Sequence, residues 1–122
     1  IVNTLSFAAT IPSAGSGIYA ASKAAMTSLT RTMAAEWAPK GIRVNGYSPG
    51  VIETEMTKPA IQNNGENMLD AIALHHFGKV DEMVKVVGFL ASEDSEYITG
   101  INLDASGGKY IVQNAGNAWK EK

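Results

Sequence analysis

The sequence contains no cysteine, which excludes disulfide bridges, thiolate catalysis and thiolate metal sites. Neither sign of charge dominates, since the formal net charge of the 122 residues is -2 and the basic residues form no stripe. Binding to nucleic acid therefore has no electrostatic support. Apolar runs are also short, and none approaches the roughly 20 residues that span a bilayer. We expect neither a nucleic-acid partner nor a membrane segment.

The start of the chain lacks an initiator methionine, and it lacks the charged stretch and cleavage site of a signal peptide. Together with the missing cysteines, this favours a cytoplasmic location. The first residues, IVNTLSF, already have the composition of a buried strand. We therefore expect residues 1–122 to be the back part of one longer domain.

Apolar runs and helical periodicities alternate along the chain and predict an α/β fold. Strands are predicted at 1–7, 42–48 and 101–105, and helices at about 16–38, 66–76 and 80–92. Turn-forming residues predict loops at 8–17 and 49–65, and the residues after Gly108 are predicted to form an irregular tail. Because strands joined by helices run parallel, we expect a parallel sheet of about three strands with flanking helices.

The longest predicted helix has a defined end and one apolar face. Pro39 and Gly41 follow its last turn, as expected of residues that stop a helix. The apolar face is predicted from residues that recur at helical spacing, namely Ile18, Ala21, Ala25, Leu29, Met33 and Trp37.

The front of this helix carries the stretch YAASK, in which Tyr19 and Lys23 are four residues apart. Residues at that spacing share a helix face, so both side chains can reach one ligand. An ammonium group near a phenol favours the phenolate, and such a phenol can exchange a proton with a carbonyl or alcohol oxygen. Ser6 lies at the C-terminal end of the first predicted strand, where open α/β sheets bind ligands, and its hydroxyl can hydrogen-bond the same oxygen. A plainer interpretation stays open: an exposed Tyr–Lys pair, with a serine that caps a strand end.

Three motifs in order resemble those of the classical short-chain dehydrogenase/reductase family. They are Ser6 with YAASKAA, then GIRVNGYSPGVIETEM, then VVGFLASEDSEYITGINLDASGG, and they cover residues 1 to about 111. The resemblance implies a Rossmann-like, doubly wound parallel sheet, of which residues 1–122 hold the C-terminal, catalytic and substrate-side part. The family's N-terminal dinucleotide-binding part, with its Gly-rich phosphate loop and catalytic asparagine, does not occur in these residues.

The resemblance also implies roles for single residues. Tyr19 matches the catalytic acid/base, Lys23 the lysine that binds the nicotinamide ribose and favours ionisation of the tyrosine, and Ser6 the serine that polarises the substrate oxygen. The further cofactor contacts implied by the second motif are Pro49, Gly50, Ile52 and Thr54. The implied cofactor is NAD or NADP, and no metal is implied.

These roles predict an NAD(P)-dependent oxidoreductase that interconverts a ketone and a secondary alcohol, with a sugar, a polyol or a similar small molecule as substrate. A 3-oxoacyl-acyl-carrier-protein reductase shares the same site and stays an alternative, as does a non-catalytic fragment or assembly module. Enoyl reductases are disfavoured, because they usually separate their tyrosine and lysine by more than four positions. Without a phosphate loop, residues 1–122 alone are expected to be inactive. The family resemblance further implies a homodimer or homotetramer.

Two other features invite a functional interpretation. Met56 lies on the substrate loop that the resemblance implies at about 55–77, and it is expected to contact either substrate or solvent. The adjacent histidines His75 and His76 would point to different sides of a helix, with no third ligand at suitable spacing. They are therefore interpreted as a solvated helix end or a substrate-loop contact rather than a metal site.

Overall fold

The computed structural model describes residues 1–120, and its centre is an open sheet of three parallel strands. The strands β1 (Val2–Thr4), β2 (Asn45–Pro49) and β3 (Asn102–Ala105) lie side by side in that order. In the register, Asn3 lies opposite Gly46, and Gly46 lies opposite Asn102. All three strands therefore end at one edge of the sheet. The predicted α/β class and the parallel sheet with flanking helices are confirmed.

Within residues 1–120 the α-helices are α1 (Gly17–Trp37), α2 (Lys58–Asp70), α3 (Val80–Ala91) and α4 (Asn117–Lys120). The bounds of α1 and α3 agree with the prediction to within one residue at each end. After α1 the chain turns at Gly41, whose φ of 72° lies in the left-handed region that glycine tolerates. Among residues 1–120, no helix combines the length and the apolar content that crossing a bilayer requires.

The region after β2 differs from its prediction, because α2 begins inside the predicted loop 49–65 and ends at Asp70 rather than at residue 76. Pro59 lies in the first turn of α2, where a missing N–H costs little, so it starts a helix instead of preventing one. At Asn64 the backbone leaves the helical region, with φ -146° and ψ 26°, so α2 consists of two helical segments that meet at a kink. At the other end, the carbonyl of Asp70 accepts the N–H of Gly116 (2.7 Å), a residue far along the chain.

Helix α1 packs on the sheet through a face other than the predicted apolar one. Its buried residues are Ala20, Thr30 and Ala34, whereas Ile18 is 92% exposed and Leu29 is 51% exposed. At this contact, Asn3 of β1 donates a hydrogen bond from Nδ2 to the Thr30 hydroxyl (3.0 Å). Small residues let the helix approach the sheet closely, and a search for large apolar side chains at helical spacing does not detect such a face.

Arg43 joins the start of β2 to the end of α3. Its Nη1 donates to the carbonyls of Leu90 and Ile98, each at 3.2 Å, and to the Ser95 hydroxyl at 3.0 Å. Its Nη2 donates to the carbonyl of Ser92 at 3.0 Å. Hydrogen bonds from a charged donor are stronger than those between neutral groups. A single side chain therefore satisfies several carbonyls at the end of the helix and holds α3 in place.

Candidate functional site

The residues singled out by the sequence lie on segments that leave the C-terminal ends of β1 and β2. Ser6 comes two residues after β1 and starts a short 3-10 turn at Phe7–Ala9. Its hydroxyl oxygen accepts the N–H of Ala8 (3.1 Å). This bond fixes the hydroxyl at the sheet edge and leaves its hydrogen to donate to another oxygen.

Tyr19 and Lys23 lie one turn apart at the start of α1. The tyrosine is half exposed, and the Lys23 Nζ lies 5.8 Å from the centroid of its ring. The same Nζ donates to the carbonyl of Thr4, the last residue of β1, at 2.9 Å. The lysine is thereby held beside the Tyr19 ring.

The structure places the Lys23 ammonium over the Tyr19 ring and connects Ser6 to the two residues more indirectly. Lys23 is tied to Thr4, two residues before Ser6, and the turn that Ser6 begins packs against α1. The three side chains thus share one corner of the molecule, formed by the end of β1 and the first turns of α1. The Tyr19 side chain at this corner is half exposed.

The other predicted cofactor contacts lie on the segment that follows β2. Pro49 is the last residue of β2, and Gly50 and Ile52 follow it. Ile52 forms an isolated parallel bridge with Gly78, which holds this segment against the start of α3. Thr54 is exposed, and its hydroxyl lies 3.2 Å from the Thr57 hydroxyl near the start of α2.

A cavity of about 150 Å³ lies beside this segment. Gly50, Ile52 and Ser106 form part of its wall. Its apolar lining also includes Leu74, which follows α2, and Met83 of α3. The cavity therefore lies between the end of the sheet and the loop that connects α2 to α3.

Gly50 is expected to tolerate no side chain. A Cβ at this position would lie 2.7 Å from the Cα and 2.8 Å from the carbonyl oxygen of Ser106, so the ends of β2 and β3 would have to separate. We expect Gly50→Ala to lower the free energy of unfolding by about 2 kcal/mol, measured by chemical denaturation. Gly88→Ala is the matched control, since a Cβ there meets nothing within 4 Å. Equal stability of the two variants would contradict the prediction.

Tyr110 is a neighbour of the site that the sequence analysis missed, because it lies in the predicted irregular tail. Its ring stacks on Phe7, with centroids 3.7 Å apart and planes 24° from parallel. Burial raises the pKa of the Tyr110 phenol, and the negative charges of Asp104 and of an ionised Tyr19 raise it further. The sequence signal that could have identified Tyr110 is an aromatic residue just after the Gly107-Gly108 turn.

His75 and His76 lie in the turn after α2 and not on a helix, because the helix ends at Asp70. The His75 backbone is left-handed, with a φ of 55°, and its ring stacks on Trp119 at 4.9 Å. In the described part of the chain, no three His, Cys, Asp or Glu residues are grouped so that they could hold a metal ion. Met56 is 89% exposed, and its contact with substrate stays a prediction.

Comparison with known proteins identifies the family. A family model described as "Enoyl-(Acyl carrier protein) reductase" matches residues 1–109. The 3-oxoacyl-acyl-carrier-protein reductase of Pseudomonas aeruginosa is 39% identical over 111 residues, and the human (3R)-3-hydroxyacyl-CoA dehydrogenase is 40% identical over 111 residues. Both alignments cover 91% of this chain, but 45% and 42% of the relatives. The chain therefore spans less than half the length of these curated relatives.

Solved structures give the same result. The short-chain dehydrogenase/reductase of Brucella melitensis described as a glucose/ribitol dehydrogenase superposes with a TM-score of 0.86 and 38% identity, over 92% of this chain and 45% of that one. A 4-hydroxyisoleucine dehydrogenase variant complexed with NADH and succinate gives a TM-score of 0.87 and 34% identity, over 93% and 48%. Another related structure contains NADPH, so the predicted nicotinamide dinucleotide is the cofactor found in the family. The match includes the YAASK helix and the Pro-Gly loop, and the chain belongs to the short-chain dehydrogenase/reductase family.

Proposed function

We propose that the protein carrying these residues is an NAD(P)-dependent oxidoreductase that interconverts a ketone and a secondary alcohol. The observation that carries this proposal is the position of the Lys23 ammonium over the Tyr19 ring, with the lysine tied to Thr4 at the end of β1, two residues before Ser6. A half-exposed phenol beside a fixed ammonium group is suited to giving a proton to a carbonyl oxygen and taking it back from an alcohol.

The described residues fit one end of a nicotinamide dinucleotide. The Lys23 ammonium has three N–H groups, and the bond to Thr4 leaves others for ribose hydroxyls. Thr54 adds an exposed hydroxyl on the segment that follows Pro49 and Gly50. When bound, the cofactor supplies or accepts the hydride, and the protein positions and polarises the reacting groups.

Each catalytic group would then act at a defined atom. The phenol of Tyr19 donates its proton to the substrate oxygen during reduction, and the phenolate removes it during oxidation. Lys23 stabilises the negative charge that the phenol oxygen carries between these steps. The Ser6 hydroxyl oxygen accepts a hydrogen bond from the N–H of Ala8, so its O–H is available to donate to the substrate oxygen. This donated bond would hold the substrate oxygen near the phenol.

A 3-oxoacyl thioester is the substrate class that we favour. Two of the relatives are named as enzymes of 3-oxoacyl and 3-hydroxyacyl compounds. The side chains of Ile52, Leu74 and Met83 give the cavity after β2 an apolar wall, which suits an acyl chain. A double-bond reductase is disfavoured because Tyr19 and Lys23 are only four positions apart. A sugar or polyol is the second candidate, since one structural neighbour is described as a glucose/ribitol dehydrogenase.

Helix α1 has an exposed apolar face. The apolar face of α1 that does not contact the sheet includes Ile18 and Leu29, both more than half exposed in the single chain. Burial of such a face against a second copy would remove apolar surface from water. We propose a homodimer or homotetramer that uses this face, in a cytoplasmic protein.

Turnover by the full-length protein tests the proposed function. We expect it to oxidise NADPH or NADH in the presence of acetoacetyl-CoA, measured by loss of nicotinamide absorbance, and to act more slowly on a ketose. A higher kcat/KM for the ketose would shift the proposal to the second candidate. Bound cofactor with no turnover of either ketone would instead favour the non-catalytic assembly module. Residues 1–122 alone are expected to show no turnover.

A further inference from the structure

Residues 110–120, named here the C-terminal strap, continue past Lys109, where the family match ends. They were predicted to be an irregular tail, yet they fold back onto the body of the chain. At one end, Tyr110 stacks on Phe7, in the turn that Ser6 begins. At the other end, α4 contacts residues 70–76, named here the post-α2 segment. The strap therefore connects the serine corner of the candidate site with the loop between α2 and α3.

The first contact with the post-α2 segment is a backbone contact at Gly116. This residue is buried, and its N–H donates to the carbonyl of Asp70 at 2.7 Å. A Cβ on Gly116 would lie 2.6 Å from that carbonyl oxygen and 2.9 Å from the Asp70 Cα. Glycine is therefore needed for the strap to approach the end of α2 so closely.

The second contact comes from the side chain of Trp119. Its ring stacks on His75, with centroids 4.9 Å apart and planes 20° from parallel. Its Nε1–H donates to the carbonyl of Ala73 at 3.0 Å. Next to it, Lys120 forms an ion pair with Asp70 at 3.6 Å. One aromatic residue thus covers the turn in which His75 has a left-handed backbone.

The post-α2 segment forms part of the cavity beside Gly50. Leu74 and His76 line that cavity together with Gly50, Val51 and Ile52. The N–H of Leu74 also donates to the carbonyl of Gly107 at 3.0 Å, which joins the segment to the turn after β3. A shift of the post-α2 segment would consequently move one wall of the cavity.

We propose that the C-terminal strap holds the post-α2 segment in position. The strap thereby sets the shape of the cavity wall that Leu74 and His76 form, which would face the substrate. Gly116 and Trp119 are positioning residues in this arrangement, because they act through residues 70–76 rather than on the substrate. The inference rests on the proposed function for its substrate. The positioning itself depends only on the contacts described above.

The test compares variants of the full-length protein in which one strap contact is lost. Trp119→Ala removes the stacking and the hydrogen bond to Ala73, and Gly116→Ala places a methyl group against Asp70. The matched controls are Val112→Ala, an exposed position of the same strap, and Gly88→Ala, where a Cβ meets nothing within 4 Å. Trp119→Phe retains an aromatic ring without the N–H and is expected to show an intermediate effect.

Two measurements are made on each variant. Hydrogen exchange of the amides in residues 70–76 is expected to accelerate about tenfold in the two strap variants and to stay unchanged in the controls. The KM for acetoacetyl-CoA is expected to rise about tenfold, with kcat changed by less than about threefold, because substrate binding and not the proton transfer is affected. The cofactor dissociation constant is expected to stay at the value of the unmodified protein.

Each outcome decides a different point. Unchanged exchange in residues 70–76 of both strap variants would overturn the inference. Faster exchange with an unchanged KM would also overturn it, since the strap would then stabilise the segment without shaping the cavity. If the unmodified protein binds cofactor but reduces no ketone, the proposed function fails, and the exchange rates still show whether the strap positions the post-α2 segment.

Discussion

Replacing Tyr19 by phenylalanine is expected to lower kcat by about 10²–10⁴-fold in the full-length protein. The substitution removes the only atom of this side chain that can exchange a proton, and it leaves the ring beside Lys23 in place. Because the side chain is half exposed, little stability should be lost. The KM and the cofactor dissociation constant are expected to change by less than about threefold. The measurement is steady-state reduction of acetoacetyl-CoA.

Tyr97→Phe is the matched control for this prediction. Tyr97 is fully exposed, so the same hydroxyl is removed from a position that lies away from the candidate site. We expect the kcat of this control to equal that of the unmodified protein. A Tyr19→Phe variant that retains more than about a tenth of the original kcat would show that another group transfers the proton.

Replacing Arg43 by methionine is expected to lower the free energy of unfolding by about 3 kcal/mol. Methionine has a similar length but no donor, so the carbonyls of Leu90, Ser92 and Ile98 lose the guanidinium N–H groups that now satisfy them. These carbonyls keep only neutral donors, the Ser95 hydroxyl at Leu90 and Ser92 and the Asn45 side-chain amide at Ile98. Loss of the stronger bonds from the charged donor would therefore loosen the end of α3 from β2. Chemical denaturation measures the loss.

Arg31→Met is the control, since Arg31 is exposed on α1. We expect this substitution to change stability by less than about 0.5 kcal/mol. Arg43→Lys keeps a charged donor but cannot reproduce the forked geometry, and it should fall between the two. Similar stabilities for Arg43→Met and Arg31→Met would mean that water replaces the guanidinium without cost.

The elements that the sequence predicted well are those whose signals are local. Helix α1 has a proline and a glycine just past its last turn, and α3 has acidic residues at its start and an apolar periodicity. The start of α2 was missed because Pro59 was interpreted as part of a loop, although proline is equally suited to the first turn of a helix. The buried face of α1 was missed because small residues form it.

Local sequence signals likewise predicted one part of the candidate site and missed another. The helical spacing of Tyr19 and Lys23 was sufficient to place them together, and their roles stay predictions until the variants are measured. No local pattern indicated that Lys23 is tied to Thr4, or that Tyr110 reaches Phe7. Those contacts join residues far apart in the chain, and they depend on the order of the strands rather than on the residues near each motif.

The position of β1 in the sheet has a practical consequence. Within residues 1–120, Val2–Thr4 pairs with β2 along one side, and the backbone groups on its other side have no strand beside them. A border of this kind acts as a template onto which strands of other molecules can add. A preparation limited to these 122 residues should therefore self-associate as its concentration rises. A segment that pairs with the free side of β1 would keep the preparation monodisperse.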